Sequence, residues 1–173
     1  MRRPLTMMIA GLLIGCGQSG NPPQAAVEAA SHVRDEADVL TVPEQAAIEA
    51  RINAILQRSG RQIGVLTVSS LSGEAIEAYS LRRANQWGLG RKGINDGVMI
   101  LVAPNERQAR IEVGIGLEQL LTDARAKAII DQRMLPRFRS GDVSGAVAAG
   151  IEGITAIIAP AAANDLMVSG VAA

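Results

Sequence analysis

The 173-residue sequence holds one cysteine, one histidine, one phenylalanine, one tryptophan and one tyrosine. Each shortage removes a class of chemistry. With Cys16 the only cysteine, the folded part has no thiol for a disulfide, a nucleophile or a thiolate metal centre. So few aromatic rings leave no stacking platform for single-stranded nucleic acid. Lysine plus arginine equals aspartate plus glutamate, 17 each, so no polyanionic partner is indicated. Ser69, Ser70 and Ser72 lack an evident histidine partner, which weighs against serine hydrolase chemistry. There is also no C-x5-R motif and no D-x-D pair of the kinds that phosphate-transferring nucleophiles use. What is abundant is apolar: 48% of residues, enough for one domain with extensions.

The first residues read as a targeting segment. Met1-Arg2-Arg3 is positive, and residues 7–14 form an apolar run too short to span a bilayer. The run ends in Leu13-Ile14-Gly15-Cys16, which resembles the bacterial lipobox. That resemblance implies a signal peptide over 1–15, lipid on Cys16, and a flexible tether over 16–31. Several acyl chains, at roughly 0.8 kcal/mol per buried methylene, anchor a protein stably. The expected location is the periplasmic face of a bacterial membrane. Gly17, where an aspartate would retain a lipoprotein, favours the outer membrane.

Local signals place the elements that follow. Thr41-Val42-Pro43-Glu44 fits a capping box, with the threonine hydroxyl accepting from a first-turn amide and the glutamate reaching back. Ile48, Ile52, Ile55 and Leu56 recur at helical spacing, and Gly60 ends the helix. Residues 63–68 read as a buried strand. Ser72-Gly73-Glu74 opens a helix that runs to Trp87 and stops at Gly88. Residues 98–103 have no polar side chain, so both faces of that strand are covered. Residues 109–113 alternate, Ile111 and Val113 against Arg110 and Glu112, as an antiparallel hairpin partner. Leu117 or Asp123 starts a helix to about Met134, and Asp142 caps the last one. Residues 160–173 read as a tail. This order predicts an α/β fold, a three-layer α/β/α sandwich with a small mixed central sheet.

Gly88-Leu89-Gly90-Arg91-Lys92-Gly93 spells G-x-G-x-x-G but in the wrong context. A dinucleotide loop follows a strand and opens a helix, whereas these glycines follow a helix and lead into a strand. Gly114-Ile115-Gly116-Leu117-Glu118 does follow a strand, but it lacks a third glycine and carries an acid that repels phosphate. No nucleotide is expected. Arg91 and Lys92 read as solvated surface.

A resemblance runs through most of the chain. Val33-Arg34-Asp35, Ala37-Asp38-Val39-Leu40, Gly64-Val65-Leu66-Thr67-Val68, Trp87-Gly88-Leu89-Gly90 and Asn95-Asp96-Gly97-Val98 fall in the order seen in TPM domains. So do Glu112-Val113-Gly114-Ile115-Gly116-Leu117-Glu118, Leu121-Thr122-Asp123 and Leu135-Pro136-Arg137-Phe138. The resemblance covers residues 32–159. Such domains occur in bacterial envelope proteins and in a plant thylakoid protein of photosystem II repair. The resemblance implies an α/β/α sandwich and, as in some members, calcium held by clustered acids. It also implies that Asp96, Glu118 and Asp123 converge, with Asp35 nearby. Pairing of the two strands would otherwise put their outer loops at opposite ends, unless the connections bring them round. Asp35, Asn95, Asp96, Glu118 and Asp123 are therefore the candidate ligands for calcium or another hard cation, which takes ~6–8 oxygens. Zinc and copper are not expected without soft ligands. Each candidate also has a structural role open to it: Asp123 as a helix cap, Asn95-Asp96-Gly97 as a turn, Glu118 as a solvated first-turn acid, Asp35 as a loop acid. Many members carry a transmembrane segment after the domain; this sequence departs there. The expected function is a membrane-tethered, calcium-responsive module that docks on envelope proteins. The alternative is a metal-dependent acid phosphatase, an activity proposed for some members.

Overall fold

Glycine and proline punctuation delimits the first helix, α1 (Val42–Ser59). Pro43 sits in its first turn, where no intrahelical donor is lost, and Gly60 closes it in the left-handed region at φ 68°. The capping box is present: the Thr41 side chain faces the Glu44 amide, and Glu44 reaches back to accept the Thr41 amide (2.7 Å) and also the Thr41 hydroxyl (2.6 Å). The computed structural model describes residues 31–163. The expected signal peptide (1–15), the expected tether (Cys16 included, Ser31 excepted) and residues 164–173 lie outside the described residues.

Four strands form one sheet in the order β1-β2-β3-β4. They are β1 (Val33–Asp35), β2 (Gln62–Thr67), β3 (Gly97–Ala103) and β4 (Gln108–Val113). The first three are parallel, and β4 runs antiparallel to β3, so the sheet is mixed. β1 was not foreseen: three residues carry no periodicity. Every residue of β3 is buried, as its unbroken apolar run requires. In β4 only Ile111 is buried, consistent with the alternation.

The remaining helices are α2 (Ile76–Trp87), α3 (Asp123–Ile129), α4 (Leu135–Arg139) and α5 (Val143–Ile158). α2 starts later than Ser72-Gly73 suggests, because both residues have positive φ (54° and 81°) and form a turn instead. α3 passes into α4 through a π turn over Ile130–Met134, where the Leu135 amide bonds to the Ile130 carbonyl. Pro136 follows directly; it has no N–H to give, and a widened turn absorbs the missing bond. Leu117 closes a separate 3-10 turn, Ile115–Leu117, and does not start the helix.

Two cores flank the sheet. On one face Ile52 and Ile55 of α1, Ile129 of α3, and Ile151 and Ile154 of α5 pack on Ile63, Val65, Ile100 and Ile111. On the other, Tyr79 and Trp87 of α2 pack on Leu66, Met99 and Leu101. The three layers follow from this. Residues 160–163 continue in helical form and Ala162 is buried, so packing runs past Pro160. Among the described residues no helix is long and apolar enough to cross a membrane.

Candidate functional site

The loop from α2 to β3 is built around one buried acid. Gly88 ends α2 at φ 70°, and the chain doubles back so that the Ile94 and Asn95 amides bond to the Arg91 carbonyl (3.0 and 2.9 Å). Gly90, at φ 97°, passes so close to β3 that a Cβ on it would lie 2.5 Å from the Gly97 nitrogen. Asn95 takes φ 53°, a conformation that asparagine tolerates better than most side chains. The turn pushes Asp96 inward, where it is fully buried.

Arginine surrounds that carboxylate. Oδ1 accepts the Arg91 amide at 2.9 Å; Oδ2 accepts Arg91 Nε at 2.9 Å, Arg91 Nη2 at 2.5 Å and Arg61 Nη1 at 2.8 Å. The Arg91 guanidinium first, and then its amide, hold the Asp96 carboxyl down at about 2 against the upward pull of burial. Arg91 is therefore the clamp on Asp96, made from a side chain that stays half exposed. The only sequence signal was its position five residues before an acid inside a glycine loop. Arg61 gave none, since its pairing spans 35 positions.

Against this loop packs the turn after β4. The Gly114 amide bonds to the Gly97 carbonyl (2.8 Å) and the Gly116 amide to the Asn95 carbonyl (3.1 Å). The end of β4 and the start of β3 thus lie at the same end of the sheet. The expectation of opposite ends is corrected, because an antiparallel pair brings the end of one strand beside the start of the other. Between loop, turn and α2 opens a cleft of about 520 Å³, lined in part by Asn85, Lys92, Asn95, Glu112, Ile115 and Glu118.

The five predicted ligands do not meet. Asn95 and Glu118 share the cleft. Asp96 is spent on two arginines. Asp123 begins α3 behind Thr122, which is the true cap, and lines a different groove beside β4. Asp35 is not near Asp96: it pairs with Thr67, which pairs with Val102, at the far end of β3 from Gly97. Along β3 alone, at ~3.3 Å per residue, Val102 is roughly 16 Å from Gly97, and β1 lies two strands further across the sheet. There Asp35 accepts the Val39 and Leu40 amides (3.2 and 2.9 Å) and the Thr67 hydroxyl, pinning the chain between β1 and α1. Among the described residues no group of three or more acidic, histidine or cysteine side chains is placed to hold a metal ion. As a set of five, these side chains do not fit one cation. His32 is held by Glu49, with Nδ1 2.8 Å from Oε1, and fastens the start of β1 to α1.

Fold and site together define a small α/β/α sandwich with a glycine-walled cleft at the rim of its mixed sheet. The family model for the TPM domain matches residues 33–157, and the chain belongs to that family. Solved structures agree. The amino-terminal domain of a P. gingivalis protein is 29% identical, with a TM-score of 0.67 over 86% of this chain and 89% of that one. The amino-terminal domain of the cg2496 protein from Corynebacterium glutamicum is 20% identical, with a TM-score of 0.60 over 85% and 88%. The BA42 protein from the psychrophilic bacterium Bizionia argentinensis is 19% identical, with a TM-score of 0.61 over 70% and 82%. The last two likenesses concern the fold alone. No curated protein matches the chain.

Proposed function

We propose that this TPM domain is a lipid-tethered binding module of the bacterial envelope, with the cleft between the 88–97 loop and the 114–118 turn as its contact site. One observation carries the reading: Asn95 and Glu118 both line that cleft, and no described residue donates a hydrogen bond to either side chain. Two side-chain oxygens, completed by carbonyls and water, suit a weak site for a hard cation such as calcium. Extracellular modules of that kind bind with Kd about 10⁻⁴–10⁻³ M. The exposed Ile115 (69%) and Leu81 (52%) at the same cleft supply apolar area for an envelope protein partner.

The test is thermal. Calcium at tenfold its Kd adds about 1.4 kcal/mol, which raises the melting temperature by several degrees for a domain of this size. Glu118→Gln is expected to abolish that rise and leave the melting temperature without calcium unchanged. A melting temperature indifferent to ~10 mM calcium overturns the cation site. Turnover of a phosphate ester, lost in Glu118→Gln, would instead support the metal-dependent phosphatase.

The tether is tested separately. The unaltered chain is expected to take up labelled fatty acid when expressed in its bacterium, and Cys16→Ser is expected to take up none. Absence of label on the unaltered chain removes the lipid from the proposal.

A further inference from the structure

The hairpin between β3 and β4 places an arginine where glycine or asparagine is usual. Ala103 and Gln108 are the last pair of the ladder, and the turn between them closes with the Arg107 amide on the Pro104 carbonyl (3.1 Å). Arg107 then takes φ 55°, in the left-handed region that long side chains avoid. The turn is pinned from its other side: Asn105 donates to the Ser69 carbonyl (2.6 Å) and Glu106 accepts the Leu71 amide (2.8 Å). Beside it, outside the carboxyl end of β3, opens a cleft of about 700 Å³, within the ~300–1,000 Å³ of small-molecule sites. Val102 and Pro104 line it from the sheet, and Leu135, Val143 and the chain's only phenylalanine, Phe138, line it from the helices. That end of a parallel strand is where open α/β sheets take ligands. Arg107 and Arg139 are the charged residues of the lining, both exposed. Among the described residues, neither side chain has a hydrogen-bond or ion-pair partner. The acid nearest Arg139 in sequence, Asp142, is engaged by Arg137 (3.1 Å) and by the Gly145 amide (2.7 Å).

We propose that this cleft binds an anionic amphiphile, a single alkyl or acyl chain laid on the apolar wall with its carboxylate or phosphate head held by Arg107 and Arg139. Two guanidinium groups without a counter-charge select an anion, and their planar forks match carboxylate and phosphate alike. The apolar wall selects against a fully hydrated ion and for a molecule with a hydrocarbon part. A peptide would bring several backbone amides and carbonyls to a lining with one neutral polar side chain, Gln108, so the occupant is a small molecule. The backbone of Arg107 fits the same reading. Asparagine or glycine would close this turn with less strain, so the use of an arginine there is its charge beside the cleft. The inference does not rest on the cation reading, since this cleft and the 88–97 loop lie at opposite ends of β3.

The full-length chain made by cell-free synthesis without membranes carries no lipid, and the methyl resonances of Val102, Leu135 and Val143 report this cleft. Decanoate, decyl phosphate and decanol are the probes. At least one of the two anions should move those methyls with a Kd below about 1 mM, and decanol should bind about fivefold more weakly or worse. Whichever anion binds more tightly identifies the head group. Octanoate, two methylenes shorter than decanoate, should bind up to about fifteenfold more weakly, roughly fourfold for each methylene. Arg107→Asn keeps the turn, since asparagine tolerates a positive φ. That variant and Arg139→Gln should each weaken the preferred anion by about five- to tenfold and leave decanol unchanged. Their urea midpoints should be no lower than the parent's. Methyls at 102, 135 and 143 that stay still with either anion at about 1 mM overturn the proposal. Equal affinity for the anions and for decanol overturns it too, as does unchanged affinity in both arginine variants.

Discussion

Replacing Asp96 with Asn is expected to cost about 2–4 kcal/mol of folding stability, the larger part of which comes from two arginines left without their counter-charge. Breaking a buried ion pair from one side typically costs about 3–5 kcal/mol. Arg91 is itself 53% exposed at its side chain and is partly rehydrated, which lowers the figure. Against the ~5–15 kcal/mol that holds a domain together, the loss is large. The pH dependence has a defined sign. Asp96 titrates at about 2 in the folded chain against 3.8 when unperturbed. Its contribution is therefore fully present above pH 3.8 and is lost as pH falls through 2. The linked stabilisation is about 2 kcal/mol. Urea unfolding of the unaltered chain and of Asp96→Asn from pH 6 to 2 measures it. The gap between the two should be constant above about pH 5 and shrink by about 2 kcal/mol at the acid end. A gap that does not change with pH would mean that the arginines do not hold this carboxylate.

Gly114→Ala is expected to be at least as damaging, for a reason unrelated to charge. Gly114 has an ordinary φ of −67°, so conformational freedom is not the issue. A Cβ there would lie 2.1 Å from the Asn95 carbonyl oxygen and 3.0 Å from that of Gly97. Both are backbone atoms, which cannot rotate aside as a side chain can. The 88–97 loop must part from the 114–118 turn, and the Gly114–Gly97 and Gly116–Asn95 bonds go with it. Overpacking costs ~1–3 kcal/mol and each orphaned buried group another ~1–3, so a loss of about 3 kcal/mol or more is expected. Gly73→Ala is the control: nothing lies within 4 Å of its Cβ, and only its φ of 81° is at stake. It should lose about 1 kcal/mol. The urea midpoint reports both changes. A Gly114→Ala chain within about 0.5 kcal/mol of the parent would show that loop and turn are not locked together. Because Asp96 and Gly114 act through one loop, the double variant should lose less than the sum of the single losses.

The Thr41–Glu44 cap, the stops at Gly60 and Gly88, and the apolar run of β3 were all legible, because each depends on residues within a turn or a strand of one another. The candidate site was not. Asp96 looked like a ligand and proved to be the centre of an arginine clamp. Asp35 looked like its neighbour and proved to tie down the far end of the sheet. Acidic residues in turns have the same local signature whether they bind an ion, cap an amide or meet an arginine. What distinguishes these uses is the partner, and the partner comes from elsewhere in the chain.

By itself, then, the sequence determined the layers of this protein, the boundaries of its main helices and strands, and its kinship with TPM domains. Those follow from spacing, turn chemistry and the alternation of apolar and polar side chains. Only the tertiary structure decided which acids are already spent, which residues line the cleft, and that β4 ends the sheet. Each of these depends on which distant segments come to lie side by side, and a contact such as Arg61 to Asp96, 35 positions apart, leaves no periodic trace in the sequence.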